Sequence, residues 1–301
     1  MDRHLIESPQ PGPGLLISAG VHGDEYEPVV TVHQLLQIVP ELLLRGTVTL
    51  VPMVNPDAFW RGDRVADDGL DLARVCPGDP HGSVTMQAAA ELSNLIQEAD
   101  YYIDLHTGGT AMMVAPLAGY PLNPAEGVLD KQRQMAVAFN LPIIWGTDHR
   151  LKGRSMSIAC EANVPAIYCE YEGGARCNPE GVRDYLDGCL NVMGWLEMIE
   201  REQPESRVEH LVEDTRENSG HMQVCNPAPC DGLFLPAVEL GEMIEAGMPL
   251  GKVTDLSGQQ QETVLSQQTG ILLVLRTRPN VRQGDALAVI MENPDESEVG
   301  G

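Results

Sequence analysis

Residues 14–25 read GLLISAGVHGDE, and the rest of the chain is best understood outward from this stretch. Gly14 to Ala19 is a short apolar run of strand length. It breaks at Gly20 into a turn that carries His22 and Glu25. Apolar residues at helical spacing then resume over Glu27 to Ile38. A strand that feeds a helix through a polar turn belongs to a parallel sheet, and open α/β sheets gather their ligand sites at the strands' carboxyl ends. His22 and Glu25 stand three residues apart, so they can face one point if the segment turns helical. Imidazole nitrogen and carboxylate oxygen together suit a borderline cation such as zinc. Gly20 and Gly23 let the backbone approach closely on either side of His22.

The alternation continues in both directions from this unit. Strands are predicted over residues 47–54, 100–105, 141–145 and 165–170, and helices over 86–99, 128–140, 155–163 and 179–200. Residues 55–83, rich in Gly, Asp and Pro, are expected to form a long functional loop. The fold class that follows is α/β, a mixed, mostly parallel sheet between helices. It spans residues 1–201. Residues 202–218 are charged and poor in core side chains, and read as a linker or exposed crossover. Residues 219–301 read as a small all-β unit. Within it, DGLFLPAVELGEMIEAGMPLGKV resembles TGILLVLRTRPNVRQGDALAVI, a weak internal duplication that predicts a β-sandwich of two related halves.

Composition narrows the function classes. The 301 residues carry a formal net charge of -25, with only 19 Lys and Arg. Nucleic acid and anionic membrane surfaces are therefore not expected partners, because the long-range field repels phosphate. An anionic small molecule can still bind where Arg or a metal is concentrated. Seven cysteines occur with no C-x-x-C pair, the N-terminus is polar, and no apolar run reaches membrane-span length. A soluble, cytoplasmic protein with reduced thiols is the expectation.

Two further segments add chemistry. DYYIDLHTG places His106 at a strand end, with Asp104 two residues earlier on the same face and able to orient a ligand imidazole. His22, Glu25 and His106 would make a three-ligand set with a fourth position left for water, the pattern of a catalytic zinc site. PAIYCE ends in Glu170, a carboxylate placed to act as general base, with Glu172 as a rival. Arg61, Arg64 and Arg74 fall within 14 positions of an acidic chain and suggest anion recognition. Asn55, at the head of the same loop, and Arg154 are added as substrate-binding candidates.

Taken in order, GVHGDE, VNPDAFWRGDR, DGLDLARVCPG, DLHTG and PAIYCEYEGG resemble the succinylglutamate desuccinylase/aspartoacylase family, a branch of the zinc carboxypeptidase clan. The resemblance covers about residues 14–200 and implies an eight-stranded, mostly parallel sheet. It also implies one zinc ion per chain on His22, Glu25 and His106. Arg64 would polarise the scissile carbonyl, Glu170 would activate the attacking water and protonate the leaving amine, and Arg74 would hold a substrate carboxylate. The implied activity is hydrolysis of the amide of a small N-acyl amino acid. Ala73 departs from the family's D-L-N-R pattern, and Tyr171-Glu172 stand between Glu170 and Gly173. The C-terminal unit resembles biotinyl and lipoyl barrels but lacks the modified Lys, so it reads as a cap on the cleft or an oligomer interface. A carboxypeptidase-like peptidase, a vestigial metal-binding scaffold and a carrier protein are the competing readings.

Overall fold

The computed structural model describes residues 1–220 and 225–292. From the N-terminus come β1 (His4–Glu7), β2 (Gly14–Ser18), α1 (Tyr26–Leu42) and β3 (Thr47–Val51). Two short helices, α2 (Pro56–Arg61) and α3 (Leu72–Val75), precede α4 (Val84–Glu98) and β4 (Tyr101–His106). Next are β5 (Met112–Pro121), α5 (Glu126–Phe139), β6 (Ile143–Thr147), α6 (Ser155–Ala162), β7 (Ala166–Gly173) and α7 (Pro179–Trp195). β8 (His210–Glu213), β9 (Gly232–Pro236), β10 (Met243–Ile244) and β11 (Pro249–Thr254) follow. The last strands are β12 (Gln261–Leu265), β13 (Gly270–Arg276), β14 (Asn280–Val281) and β15 (Ala288–Met291).

Strands β1 to β8 form one sheet in the order β1-β3-β2-β4-β7-β5-β6-β8. β3, β2, β4 and β7 run parallel, as do β5, β6 and β8 among themselves. β5 is antiparallel to β7 and β1 to β3, so the sheet is mixed and mostly parallel, as expected. The strands are apolar on both faces because both faces are covered. Leu15, Ile17, Ile103, Leu105 and Ile167 point into one core with residues of α1, α5 and α7. Their neighbours Leu16, Tyr102 and Ala166 point the other way, into a second core with residues of α3, α4 and α6.

Besides β1, which has no predicted counterpart, the structure departs from the sequence expectation in four places. The 55–83 stretch is not wholly irregular: Asn55 and Asp71 accept hydrogen bonds from Ala58 N–H and Ala73 N–H and cap α2 and α3. β5 had no predicted counterpart, since its Pro116, Gly119 and Pro121 blur any strand pattern. The expected linker, 202–218, contains β8, which pairs with β6 from Ile143↔His210 to Gly146↔Glu213. As an edge strand it buries little, and Leu211 is 55% exposed, so its low hydrophobicity does not prevent pairing. The C-terminal strands also do not stand apart. β13 pairs with β5 and carries β10 and β15 into the main sheet, while β12, β11, β9 and β14 make a second sheet. Residues 221–224 and 293–301, inside the expected C-terminal unit, lie outside the described residues.

The internal duplication has a structural counterpart. The short strand of each copy pairs with the first strand of the other: β10 with β13 (Ile244↔Gly270) and β14 with β9 (Val281↔Gly232). Phe234, Leu250, Val253, Leu272, Leu287 and Ile290 close a core between the halves. No disulfide joins any of the seven cysteines, and among the described residues no helix is long and apolar enough to cross a membrane.

Glu213 ties β8 down. Arg133 Nε and Nη2 each donate to it at 2.7 Å, and Tyr120 Oη donates at 2.8 Å. The Arg133 hydrogen bonds outweigh burial and hold the Glu213 carboxyl below its usual range. Its stabilising effect is therefore present above the unfolded carboxyl pKa of about 4.5 and fades as pH falls below it. The melting temperature of Glu213→Gln should fall short of wild type at pH 7, and the gap should shrink below about pH 4.5. A gap independent of pH would remove this ion pair from the stability of the edge.

Candidate active site

The site forms where β2, β4 and β7 end. Chain reversal after β2 needs Gly20, which has φ +68° and where a Cβ would sit 2.5 Å from Met53 Sδ. Gly23 packs on α2 so closely that a Cβ would lie 2.0 Å from the Ala58 carbonyl carbon. This close packing turns His22 inward and makes Glu25 the residue that precedes α1. His106 ends β4, and Glu170 sits beside it in register on β7.

His22, Glu25 and His106 are all buried, and one donor atom from each lies within 4.8 Å of the others. His22 Nδ1 is 2.7 Å from Glu25 Oε1, and His106 Nδ1 is 3.0 Å from Glu25 Oε2. The far nitrogens face aspartates: His22 Nε2 is 3.2 Å from Asp71 Oδ1 and His106 Nε2 is 3.1 Å from Asp104 Oδ2. Asp104 also accepts from Ser18 Oγ at 2.8 Å and Ser155 Oγ at 2.5 Å. If each neutral imidazole gives its one N–H to its aspartate, both Nδ1 lone pairs confront the Glu25 carboxylate. Acceptors would then face acceptors with no proton between them. A divalent cation resolves that conflict, and two imidazoles with a carboxylate are a donor set that fits zinc.

The electrostatics agree with a site built for positive charge. Burial alone would raise Glu25, but His22 and His106 outweigh it and hold the carboxyl well below its usual range. Burial alone would lower His106, but Asp104 and Glu25 hold it well above the usual range. Glu170 behaves in the opposite way. Burial pushes it up to about 8, with Glu25 and Asp104 adding to the rise against His106 and Arg64. Its Oε2 is buried with no hydrogen-bond partner among the described residues. A carboxyl raised toward neutrality is tuned for proton transfer near pH 7.

A cavity of about 380 Å³ opens over these groups, and Arg64, Arg74 and Arg154 line it. Arg64 Nε donates to Asp71 Oδ2 at 3.0 Å, so Asp71 links this guanidinium to His22. Arg74 and Arg154 have no carboxylate within ion-pair distance among the described residues; Arg74 Nη1 donates to Ala73 O at 2.6 Å and Arg154 Nη1 to Gly220 O at 3.4 Å. Burial, Arg154 and Arg64 together lower Arg74 to about 10 against the attraction of Asp71. Two half-buried guanidiniums with no ion-paired carboxylate among the described residues have the chemistry to receive an anion.

Not every candidate reaches the cavity. Arg61 points to solvent, 2.5 Å from Asp67 and 3.6 Å from Asp63, because it follows the outer side of α2. Asn55 spends its Oδ1 on capping α2, at 3.3 Å from Ala58 N, and does not line the cavity. Glu172, the rival base, accepts a hydrogen bond from Asn178 Nδ2 at 2.9 Å and also lies outside the lining. Sequence reasoning missed Asp71 as a partner of His22, although an Asp before a helical turn is a capping signal that could have drawn attention to it. It also missed Ser18, Ser155, Tyr168, Val274 and Arg278. No sequence signal could have found the last two, which reach the cavity only through β13 pairing with β5.

Residues 11–196 match the family model described as the succinylglutamate desuccinylase/aspartoacylase catalytic domain. The chain belongs to this family. N-alpha-acetyl-L-2,4-diaminobutyric acid deacetylase of Halomonas elongata is 28% identical over 292 residues, covering 93% of this chain and 82% of that protein. Murein peptide amidase A of Escherichia coli is 28% identical over 207 residues, covering 60% of this chain and 79% of its own. Among solved structures, a succinylglutamate desuccinylase/aspartoacylase from Rhodobacter sphaeroides superposes with a TM-score of 0.85 at 27% identity, over 97% of this chain and 88% of that one. The product-bound ectoine utilization protein EutE (DoeB) from Ruegeria pomeroyi gives 0.86 at 25% identity, over 96% and 87%. The likeness to both structures runs through the C-terminal strands as well as the family domain.

The tight seat of Gly23 gives a test of this geometry. Gly23→Ala must push α2 away from the His22 turn, and overpacking of this kind costs about 1–3 kcal/mol. Urea unfolding should show a loss of that size. Unchanged stability would mean that the turn does not pack as described.

Proposed function

We propose that this chain is a zinc-dependent deacylase that hydrolyses the amide of a small N-acyl amino acid. The observation that carries the reading is the pair of imidazole Nδ1 atoms converging on the buried Glu25 carboxylate beside an unpartnered Glu170. Family membership and the named activity of the Halomonas relative support it.

In this reading His22, Glu25 and His106 hold the metal, with Asp71 and Asp104 orienting the imidazoles. Zinc held there supplies Lewis acidity toward water and carbonyl oxygen. Arg74 and Arg154 bind the substrate carboxylate. The Arg64 guanidinium, fixed by Asp71, donates to the carbonyl oxygen as negative charge grows on it. Glu170, as carboxylate, takes a proton from the attacking water. Its carboxyl group then returns that proton to the leaving nitrogen, a transfer favoured by its raised pKa. The C-terminal β unit is read as a barrel-sandwich cover that closes one side of the cavity with Val274 and Arg278. A cytoplasmic setting follows from the composition.

The likeness to murein peptide amidase A favours a second reading, a peptidase on small peptides. The cavity of about 380 Å³ is near the small end for ligand sites, which favours the smaller substrate.

The full chain should bind one zinc per molecule and cleave members of a panel of N-acetyl, N-succinyl and longer N-acyl amino acids, with chelation abolishing turnover. Glu170→Ala should keep its zinc and lose about 10²–10⁴-fold in kcat. Asp104→Asn should weaken zinc binding about 10–100-fold. A chain that binds no zinc by elemental analysis, or a Glu170→Ala variant of full activity, would sink the proposal.

A further inference from the structure

Tyr168 and Gly119 face each other across the antiparallel β5–β7 pair. Two residues beyond Tyr168 on the same face of β7 stands Glu170, and both line the cavity. The outer edge of the tyrosine ring and its hydroxyl lie over β5 at Gly119. A Cβ on Gly119 would sit 2.2 Å from Tyr168 Cζ and 2.4 Å from its hydroxyl oxygen. Only a glycine leaves room for the ring there, since separations under about 3 Å are not found for real Cβ atoms. The ring therefore occupies space that a smaller residue at position 168 would give to the cavity. Thr147 and Arg154 also line the cavity, and Glu170 and Arg154 act on the tyrosine hydroxyl electrostatically. The tyrosine thus shares the cavity wall with the proton-transfer group and with Arg154, a guanidinium that has no carboxylate within ion-pair distance among the described residues.

We propose that the Tyr168–Gly119 pair sets the depth of the subsite for the amine half of the substrate, so that N-acyl derivatives of small amino acids are accepted and those of large ones refused. The inference rests on the deacylase reading, because Arg154 marks the amine half only if it binds the carboxylate. Tyr168 is the wall of this subsite. Gly119 is a positioning residue that acts through the ring and touches no substrate. A steric wall of this kind discriminates by about 10–200-fold per methylene group.

The test uses the zinc-loaded full chain and a ladder of N-acyl Gly, Ala, Leu and Phe, with the acyl group that wild type prefers. Binding of the free amino acids, measured by calorimetry, gives a readout independent of turnover. Wild type should lose at least about 10-fold in kcat/KM from Ala to Phe. Tyr168→Ala should reverse that order in both turnover and binding. Tyr168→Phe should keep the order. Gly119→Ala should weaken every substrate by displacing the ring, and the Gly119→Ala/Tyr168→Ala double variant should recover the profile of Tyr168→Ala. Tyr168→Leu serves if the alanine variant does not fold. A folded, zinc-bound Tyr168→Ala that keeps the wild-type size order would overturn the proposal, as would a double variant no better than Gly119→Ala alone. A zinc-bound wild type that cleaves nothing on the ladder, whatever the acyl group, would instead defeat the deacylase reading, and this inference with it.

Discussion

Glu25 is buried, ionised and faced by two imidazole nitrogens, and much of the molecule is arranged around that charge. An uncompensated carboxylate in such a place is costly. The compensation is built in layers: His22 and His106 flank the carboxylate, Asp71 and Asp104 polarise the imidazoles from behind, and Ser18, Ser155 and Arg64 satisfy the aspartates. The negative charges still outnumber the fixed positive ones next to them. That imbalance is the physical reason to expect a divalent cation, and next in line burial, with Glu25 and Asp104 adding to it, pushes Glu170 toward its neutral form.

The sheet supplies the precision this arrangement needs. Parallel pairing of β2, β4 and β7 puts Ser18 beside Asp104 and His106 beside Glu170, each pair fixed by ladder register rather than by loop geometry. Alternate residues of the same strands enter the two apolar cores, so shifting any of them would expose core and disperse the site together. The cationic wall of the cavity is built differently. Arg64 and Arg74 come from the long stretch after β3, and Arg154 from the head of α6. Four of the chain's 19 basic residues, Arg278 included, line one cavity of a molecule with net charge -25. A field that repels anions in general is locally offset at this cavity.

A good part of this was legible in the sequence. Apolar runs of strand length alternating with helical spacing specify a parallel sheet because burial on both faces leaves no polar alternation. His22, Glu25, His106 and Glu170 could be singled out because each follows such a run, and strand ends are where α/β sheets present ligands. Arg61 and Asn55 were drawn in by their place in the loop after β3 and do not line the cavity, since proximity along a loop says nothing of direction. Which side of α2 faces the cavity depends on how that helix packs against Gly23.

Local sequence thus determined the elements, the faces they bury and the chemical types at the strand ends, because hydrophobic periodicity and backbone preference act over a few residues. Tertiary structure alone decided the partners: Asp71 on His22, β8 and β13 added to the sheet, Tyr168 lying over Gly119 and Arg278 at the cavity. These juxtapositions join residues from about 50 to more than 160 positions apart, and in the case of Tyr168 and Gly119 from neighbouring strands that are far apart in the chain. Pairing register and close packing set them, and neither leaves a mark on the composition of the segments that meet.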